Sequence, residues 1–169
     1  MADLDETEQA PETQLWERLQ QVRAGMLGVA GDEGHMQPMT HFADQDLKTL
    51  YFVIARDATL VRDIGLGGTA EYVIVGKEQD YHASLRGPIR QSEDRAKLEE
   101  IWNSLVSAWF EGGPEDPNVV LLEMPLRDAA IWASTDSRVE FALEIAKAHV
   151  TGDDPEVGVR THIDFAKAA

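Results

Sequence analysis

Hydrophobic and polar positions alternate along the chain with two periods, and each period predicts a different kind of element. From residue 13 onward, apolar residues recur at helical intervals and predict a first helix that ends near Gly25. Runs rich in β-branched and aromatic residues predict strands instead. These runs span residues 26–30, 35–43, 49–55, 70–76, 81–91, 119–125 and 128–134. Short turns separate most of them, which favours an antiparallel sheet or barrel.

Three further segments have the helical period. A short helix is predicted over residues 58–66 and is closed by the glycines of GLGG. The segment SEDRAKLEEIWNSLVSAWF predicts a longer helix with one apolar face and Ser92 as its N-cap. Residues 139–150 predict a final helix. Pro38 interrupts an extended segment and indicates an edge or bulge position, because proline cannot donate to a strand ladder.

These elements predict one domain of the α+β class with a barrel at its centre. Residues 1–12 are acidic and are expected to form a disordered, solvated tail. Residues 13–150 are expected to form the barrel domain, because no linker composition interrupts them. Residues 151–169 are expected to form a C-terminal tail that is loose or docks on a partner.

The charge balance restricts the classes of partner. The chain has 31 acidic and 15 basic residues, a net charge of −16. Such a surface repels nucleic-acid phosphates and anionic membranes, so neither is expected as a partner. The chain has no cysteine, which excludes disulfides, thiolate zinc sites and cysteine nucleophiles. Because neither a signal peptide nor a membrane-spanning run is visible, we expect a cytoplasmic location.

Few motifs carry chemistry on their own. The five histidines are scattered, so no metal site is predicted. No nucleophile elbow, zinc-protease motif, P-loop or dinucleotide fingerprint is present. The aromatic residues could stack on a flat ligand, although most are expected in the core. Trp109 and Phe110 differ, because they precede the Gly/Pro-rich loop EGGPEDP and could sit at the rim of a pocket or in a subunit interface.

Several local strings resemble one known family. The most specific is KLEEIWNSLVSAWFEGGPEDPNVVLLEMPLRDAAIWAS, residues 97–134, and GHMQPMTHF, LYFVIARD and DYHASLRGPI fit more loosely. Over residues 13–150 the chain resembles the general stress protein branch of the pyridoxamine 5'-phosphate oxidase-like, flavin-binding split barrels. The resemblance implies a six-stranded antiparallel split barrel with flanking helices. It also implies a homodimer that binds FMN, its cofactor, in clefts between the subunits.

The resemblance implies flavin contacts from two segments of one subunit, with Trp109 closing the site from the other. The implied cofactor-binding residues are Met36, Gln37, Pro38, Met39, Thr40, Val53, Ile54, Ala55, Arg56, Thr59, Leu60 and Trp109. The resemblance identifies no catalytic residue.

The side chains that hold the cofactor phosphate in this branch are largely replaced. The family carries arginine before Pro-Met, where this chain has Gln37. Its loop reads approximately Thr-Ser-Arg-Asp-Ser-x-Lys, and here the loop is IARDATL, residues 54–60. Arg56 either contacts phosphate or pairs with a neighbour, Asp57 or Asp63.

Three functions remain open at this point. The first is a flavin-dependent redox protein that acts on an unknown small molecule. The second is a non-enzymatic binding or stress-response dimer that has lost phosphate binding. The third is a ligand-free dimer in which Leu60 and Met39 fill the flavin volume.

Overall fold

The computed structural model describes residues 2–31, 34–65, 67–134 and 158–166. The predicted helix over 139–150 lies outside these residues. The helices are α1 Leu4–Gln9, α2 Pro11–Gln21, α3 Thr59–Ile64, α4 Arg95–Ile101 and α5 Ser104–Ser107. The strands are β1 Gly25–Val29, β2 Gln37–Met39, β3 Phe42–Asp44, β4 Thr49–Ala55, β5 Gly68–Val75, β6 Tyr81–Ser92, β7 Val119–Pro125, β8 Asp128–Ser134 and β9 Gly158–Asp164.

The strands form one antiparallel sheet that curls into a split barrel, which confirms the predicted α+β fold class. The main path has the order β2-β1-β5-β6-β7-β4-β3, and β8 and β9 extend the sheet from β6. The described residues contain nine strands rather than six. The sequence pattern predicted seven strand runs, one more than the resemblance implies; the segment 35–43 divides into two short strands and the C-terminal segment adds another. Pro38 lies on the edge strand β2, as predicted.

Strand β6 joins the two halves of the barrel. One of its edges pairs with β5, while the other pairs first with β8, over Tyr81–Arg86, and then with β7, over Arg90–Ser92. Gly87 lies between the part of β6 that pairs with β8 and the part that pairs with β7. A Cβ atom on Gly87 would lie 2.0 Å from the backbone oxygen of Pro125, at the corner between β7 and β8. Only a residue without a side chain allows this approach.

The main core fills the inside of the curled sheet, and a smaller cluster covers its outside. Strands β4 and β7 are buried on both faces, so they appear in the sequence as continuous apolar runs. Their alternate residues enter the two clusters. The main core includes Leu50, Phe52, Tyr72, Leu85, Ile89, Leu122 and Met124, and the outer cluster contains Tyr51, Leu98, Val119 and Leu121.

The N-terminal segment corrects the prediction of a disordered tail over residues 1–12. Asp3 caps α1 by accepting from the N–H of Glu6 at 3.1 Å. The buried hydroxyl of Thr7 donates to Gln14 Oε1 at 2.8 Å. This pair attaches α1 to α2, because two buried polar groups satisfy each other there. An aspartate followed three residues later by a glutamate was the missed sequence signal.

The segment 92–110 corrects the prediction of one long helix. Asp94 rather than Ser92 caps α4, accepting from the N–H of Lys97 at 2.9 Å, and Ser92 ends β6. Helix α4 ends before Trp102. Asn103 then caps α5 by accepting from two backbone N–H groups, since asparagine competes for backbone donors within a helical pattern. Trp109 and the loop that follows it come directly after α5.

The C-terminal segment was predicted to be loose or to dock on a partner over residues 151–169, and residues 158–166, the part of it that the structure describes, instead belong to the barrel sheet or follow it directly. Strand β9 pairs with the whole of β8. Ile163 and Phe165 are both buried, and the Phe165 ring lies 6.2 Å from that of Trp16 in α2. Apolar residues at every second position, the signal of a half-buried strand, were present in GVRTHIDF.

Candidate functional site

A cleft of about 370 Å³ lies where the two ends of the curled sheet approach each other. One side comes from β2 and the residues after it, the other from β4, and α5 with the residues after it forms a third wall. The cleft is lined by Pro38, Met39, Thr40, Phe42, Val53, Ile54, Ala55, Leu105, Val106, Trp109 and Phe110. Within the described part of the chain, none of these side chains carries a charge. The cleft is therefore apolar, with the Thr40 hydroxyl and strand backbone as its polar groups.

The backbone of β4 is open toward this cleft. The backbone N–H of Arg56 donates to the oxygen of Asn118 at 2.8 Å. In an antiparallel pair every second residue forms such bonds, so the N–H and C=O groups of the even-numbered β4 residues point toward β7. The N–H and C=O of Val53 therefore point to the opposite edge. Among the described strands only β3 pairs with that edge, and it stops at Tyr51. Val53 thus offers a donor and an acceptor side by side at the wall of an apolar cleft.

The third wall is aromatic and is supported by two arginines. Trp109 is 80% exposed although it lines the cleft, and the Phe110 ring lies 6.2 Å from that of Trp102. The loop after Phe110 is held from both sides: Arg95 Nη1 donates to the oxygen of Pro114 at 3.0 Å, and Arg56 Nε to that of Pro117 at 2.7 Å. These two hydrogen bonds hold the loop that directly follows the aromatic wall.

The structure brings together seven of the twelve residues implied by the resemblance, and Trp109, expected to close the site from the other subunit, lines the cleft of its own chain. Three of the others, Arg56, Thr59 and Leu60, lie in the loop and helix after β4, and Met36 and Gln37 lie just before the cleft. Sequence reasoning missed three lining residues, Phe42, Leu105 and Val106, whereas Phe110 was expected at the rim of a pocket or in a subunit interface. Two of these, Leu105 and Val106, were predicted on the apolar face of one long helix, and the break at Asn103 makes them a cleft wall instead.

The expected phosphate loop has other contacts. Arg56 binds the Pro117 carbonyl rather than Asp57 or Asp63, the two pairs considered from the sequence. The Thr59 hydroxyl accepts from Arg62 Nη2 at 3.1 Å. Leu60 is 3% exposed in the main core, so it does not fill the cleft as a ligand-free dimer would require.

Helix α3 lacks a side-chain cap. Its N-cap residue is Ala58, with ψ of 142° and no side-chain hydrogen bond. We expect Ala58→Ser to raise the free energy of unfolding by about 1 kcal/mol, because serine can satisfy a free N–H of the first turn. Urea unfolding of the two proteins measures this, with Ala24→Ser at an exposed position outside the helices as the control. Equal gains in both variants would contradict a capping effect.

A buried hydrogen-bond network connects the core to the cleft wall. His41 Nε2 donates to the oxygen of Leu19 at 2.8 Å, since a carbonyl can only accept. The Tyr72 hydroxyl lies 2.8 Å from His41 Nδ1 and 2.9 Å from the oxygen of Met39, a residue that lines the cleft. Burial raises the pKa of Tyr72, so this group remains a neutral hydroxyl. Burial lowers the pKa of His41 and outweighs the hydrogen bond to Leu19, which favours the neutral imidazole.

This shift predicts a loss of stability in mild acid. Above the ordinary pKa of 6.5, His41 is neutral in both folded and unfolded chains. As the pH falls below that value, the unfolded chain binds a proton that the folded chain resists, so stability decreases by at most about 1.4 kcal/mol per pH unit from this group. We expect urea unfolding to show a smaller decrease between about pH 7.5 and 5.5 for His41→Gln than for the wild type. His82→Gln, an exposed histidine on β6, is the control and should behave as the wild type.

Metal and membrane functions gain no support from the described residues. No three histidine, aspartate or glutamate side chains among them converge as metal ligands. No helix in the part of the chain that the structure describes is long and apolar enough to cross a bilayer.

The solved structures that are similar to this chain include those of three bacterial proteins. A general stress protein 26 from Jannaschia sp. CCS1 is 33% identical with a TM-score of 0.74, and the match covers 90% of this chain and 97% of that one. A general stress family protein from Xanthomonas campestris pv. campestris is 33% identical with a TM-score of 0.69, over 81% and 93%. The general stress FMN/FAD binding protein from Xanthomonas citri is 33% identical with a TM-score of 0.68, over 75% and 90%.

The family comparison agrees with the structural one. A search of curated proteins finds no match. The family model described as pyridoxamine 5'-phosphate oxidase like matches residues 10–156, which include every residue that lines the cleft. The strings in residues 97–134 that suggested the resemblance lie within this match. The chain therefore belongs to the pyridoxamine 5'-phosphate oxidase-like family of split barrels, in its general stress protein branch.

Proposed function

We propose that the cleft binds the ring system of a flavin, and that the protein is a flavin-dependent redox protein acting on a small molecule. The observation that carries this proposal is the open backbone of Val53 at the wall of an apolar cleft. A flavin ring is flat and apolar on its faces, with donors and acceptors along one edge. Family membership and the FMN/FAD binding of the Xanthomonas citri protein support the same ligand.

The residues of the cleft fit the ring part of such a cofactor. Apolar side chains such as Val53, Ile54 and Phe110 give surfaces for its faces, while the Val53 N–H and C=O can meet polar atoms at its edge. We expect Trp109, which is exposed at the cleft, to stack on the ligand from the open side. When bound, a flavin supplies electron-transfer chemistry. The protein's own part is to bind the ring, orient it and exclude water from it.

We further propose that two copies form a dimer that closes the cleft. A tryptophan that is 80% exposed at the rim of an apolar site supports this arrangement, because burying it against a second copy removes a large apolar surface from water. Light scattering during gel filtration measures the mass. A mass of one chain, 18.7 kDa, at all concentrations would contradict the dimer.

Flavin binding is tested by absorbance of the purified protein and by titration with riboflavin, FMN and FAD. We expect saturable binding that quenches tryptophan fluorescence. Trp109→Phe should lose most of the quenching, whereas Trp132→Phe should keep it, because Trp132 is an exposed tryptophan on β8 that does not line the cleft. If none of the three flavins binds, the proposal fails.

The second function left open by the sequence, a non-enzymatic binding protein, has one observation in its favour. Arg56 is bonded to the loop carbonyl of Pro117, and the cleft lining is uncharged over the described residues. A protein of this kind would bind a flavin-like ligand without turnover. NAD(P)H consumption in the presence of bound flavin and artificial electron acceptors distinguishes the two, since only the redox protein is expected to support it.

A further inference from the structure

The uncharged cleft raises the question of which part of a flavin the protein recognises. Free flavins share one ring system and differ in their tails: riboflavin has a neutral ribityl chain, whereas FMN ends in a phosphate dianion. A site that reads the phosphate needs cations or free donors, because charge-assisted hydrogen bonds to such a group are the strong ones. Whether the cleft meets this requirement depends on the side chains that surround it.

The sequence offered two nearby side chains for phosphate, Arg56 and Thr59, and both have a hydrogen-bond partner, while Leu60 stands where the family has lysine. Arg56 donates its Nε–H to Pro117 at 2.7 Å and lies outside the cleft lining. The Thr59 hydroxyl accepts from Arg62 at 3.1 Å. Leu60 occupies the main core, where it is 3% exposed. Arg56 keeps its Nη donors and Thr59 keeps its hydroxyl proton, but neither side chain lines the cleft, and Leu60 has no donor to offer.

The surroundings of Arg56 are also unfavourable for a dianion. Arg56 borders a separate polar cavity of about 470 Å³, which it shares with Arg95 and with the carboxylates of Glu93 and Asp94. Arg95 is itself bonded to the loop at Pro114. The two arginines therefore face two acids in one cavity, and the chain as a whole carries a net charge of −16. An incoming phosphate would meet repulsion as well as attraction there.

From these contacts we infer that the cleft selects its ligand by the uncharged ring system and does not recognise a terminal phosphate. The protein thus binds riboflavin about as tightly as FMN. This inference rests on the proposed flavin function and specifies its ligand class: flat heterocycles with an uncharged tail are sufficient. Recognition comes from the backbone of Val53 and the apolar walls, which contact atoms common to all flavins.

The test is a parallel calorimetric titration of the full-length protein with riboflavin and FMN, at about 50 and about 300 mM NaCl. We expect the two dissociation constants to agree within about threefold and to change little with salt, since no ion pair is formed. FMN binding about 30-fold tighter than riboflavin, with a marked loss at high salt, would overturn the inference and leave the flavin function intact. Absence of binding by both would instead remove the flavin function itself.

Arg56→Gln provides the second arm, because it removes the nearest arginine while keeping a donor for the Pro117 carbonyl. The readout is the ratio of the FMN and riboflavin dissociation constants, which a general loosening of the loop would not change. We expect the ratio to remain within about threefold of the wild-type value. A ratio that shifts about tenfold against FMN would show that Arg56 holds the phosphate, and the inference would be wrong.

Discussion

We expect Gly87→Ala to lower the free energy of unfolding by at least about 3 kcal/mol, the largest loss of stability predicted for this protein. The added Cβ would lie 2.0 Å from the oxygen of Pro125 and 3.0 Å from its carbonyl carbon. Both are backbone atoms, so no rotamer change of a neighbouring side chain can relieve the contact. Either β6 or the corner between β7 and β8 must move.

The position of Gly87 makes that movement costly. At this point β6 leaves β8 and begins to pair with β7, while its other edge remains on β5. A shift of β6 would therefore weaken three strand pairings at once. It would also disturb the fully buried side chains of Leu85 and Ile89 on either side. Because small domains have a stability of only about 5–15 kcal/mol, a loss of this size removes a large part of it.

Urea unfolding followed by circular dichroism measures the effect. Gly68→Ala is the matched control, because Gly68 also lies in a strand and its added Cβ would be 3.3 Å from the side chain of Val29, which can adjust. We expect the control to lose less than about 1 kcal/mol. Equal midpoints for the two variants would show that β6 does not approach the β7–β8 corner as closely as described.

Much of this fold follows from the sequence because periodicity reports burial directly. The continuous apolar runs of β4 and β7 mark strands covered on both faces, and both lie where the pattern placed them. The errors arose where a local polar contact overrides periodicity. Asn103 divides a helical pattern into two helices, and the Thr7–Gln14 bond orders a segment whose composition suggested a solvated tail. Such contacts depend on the order of individual polar residues, which neither composition nor apolar periodicity describes.

For the site, the sequence predicted which segments take part but not which of their side chains face the ligand. The segments around Pro38 and Val53 were expected to contact a ligand together, and the curled sheet brings them to one cleft. Which side chains face that cleft could not be predicted, because it depends on where two sheet ends meet. Arg56 illustrates the limit: its partner, the carbonyl of Pro117, is 61 residues away along the chain.

The second large effect is expected at Ala55, where phenylalanine should reduce flavin binding by at least about 100-fold. Ala55 lines the cleft at the end of β4, next to the open edge of Val53. The cleft has a volume of only about 370 Å³, near the lower end of the range for ligand pockets, so an added ring occupies space that the ligand needs. The backbone of Ala55 keeps its bond to the N–H of Ala58, at 3.1 Å, because the substitution changes only the side chain.

Stability and binding should separate in this variant. Ala55 is only half-buried at the end of its strand, so we expect the unfolding midpoint without flavin to stay close to that of the wild type. Val75→Phe places the same ring at a strand position that is 42% exposed and outside the cleft, and it should bind riboflavin as the wild type does. If Ala55→Phe instead binds riboflavin with wild-type affinity while remaining folded, the flavin site lies elsewhere. The open edge of Val53 would then be free for a peptide strand, because unpaired strand edges recruit other strands.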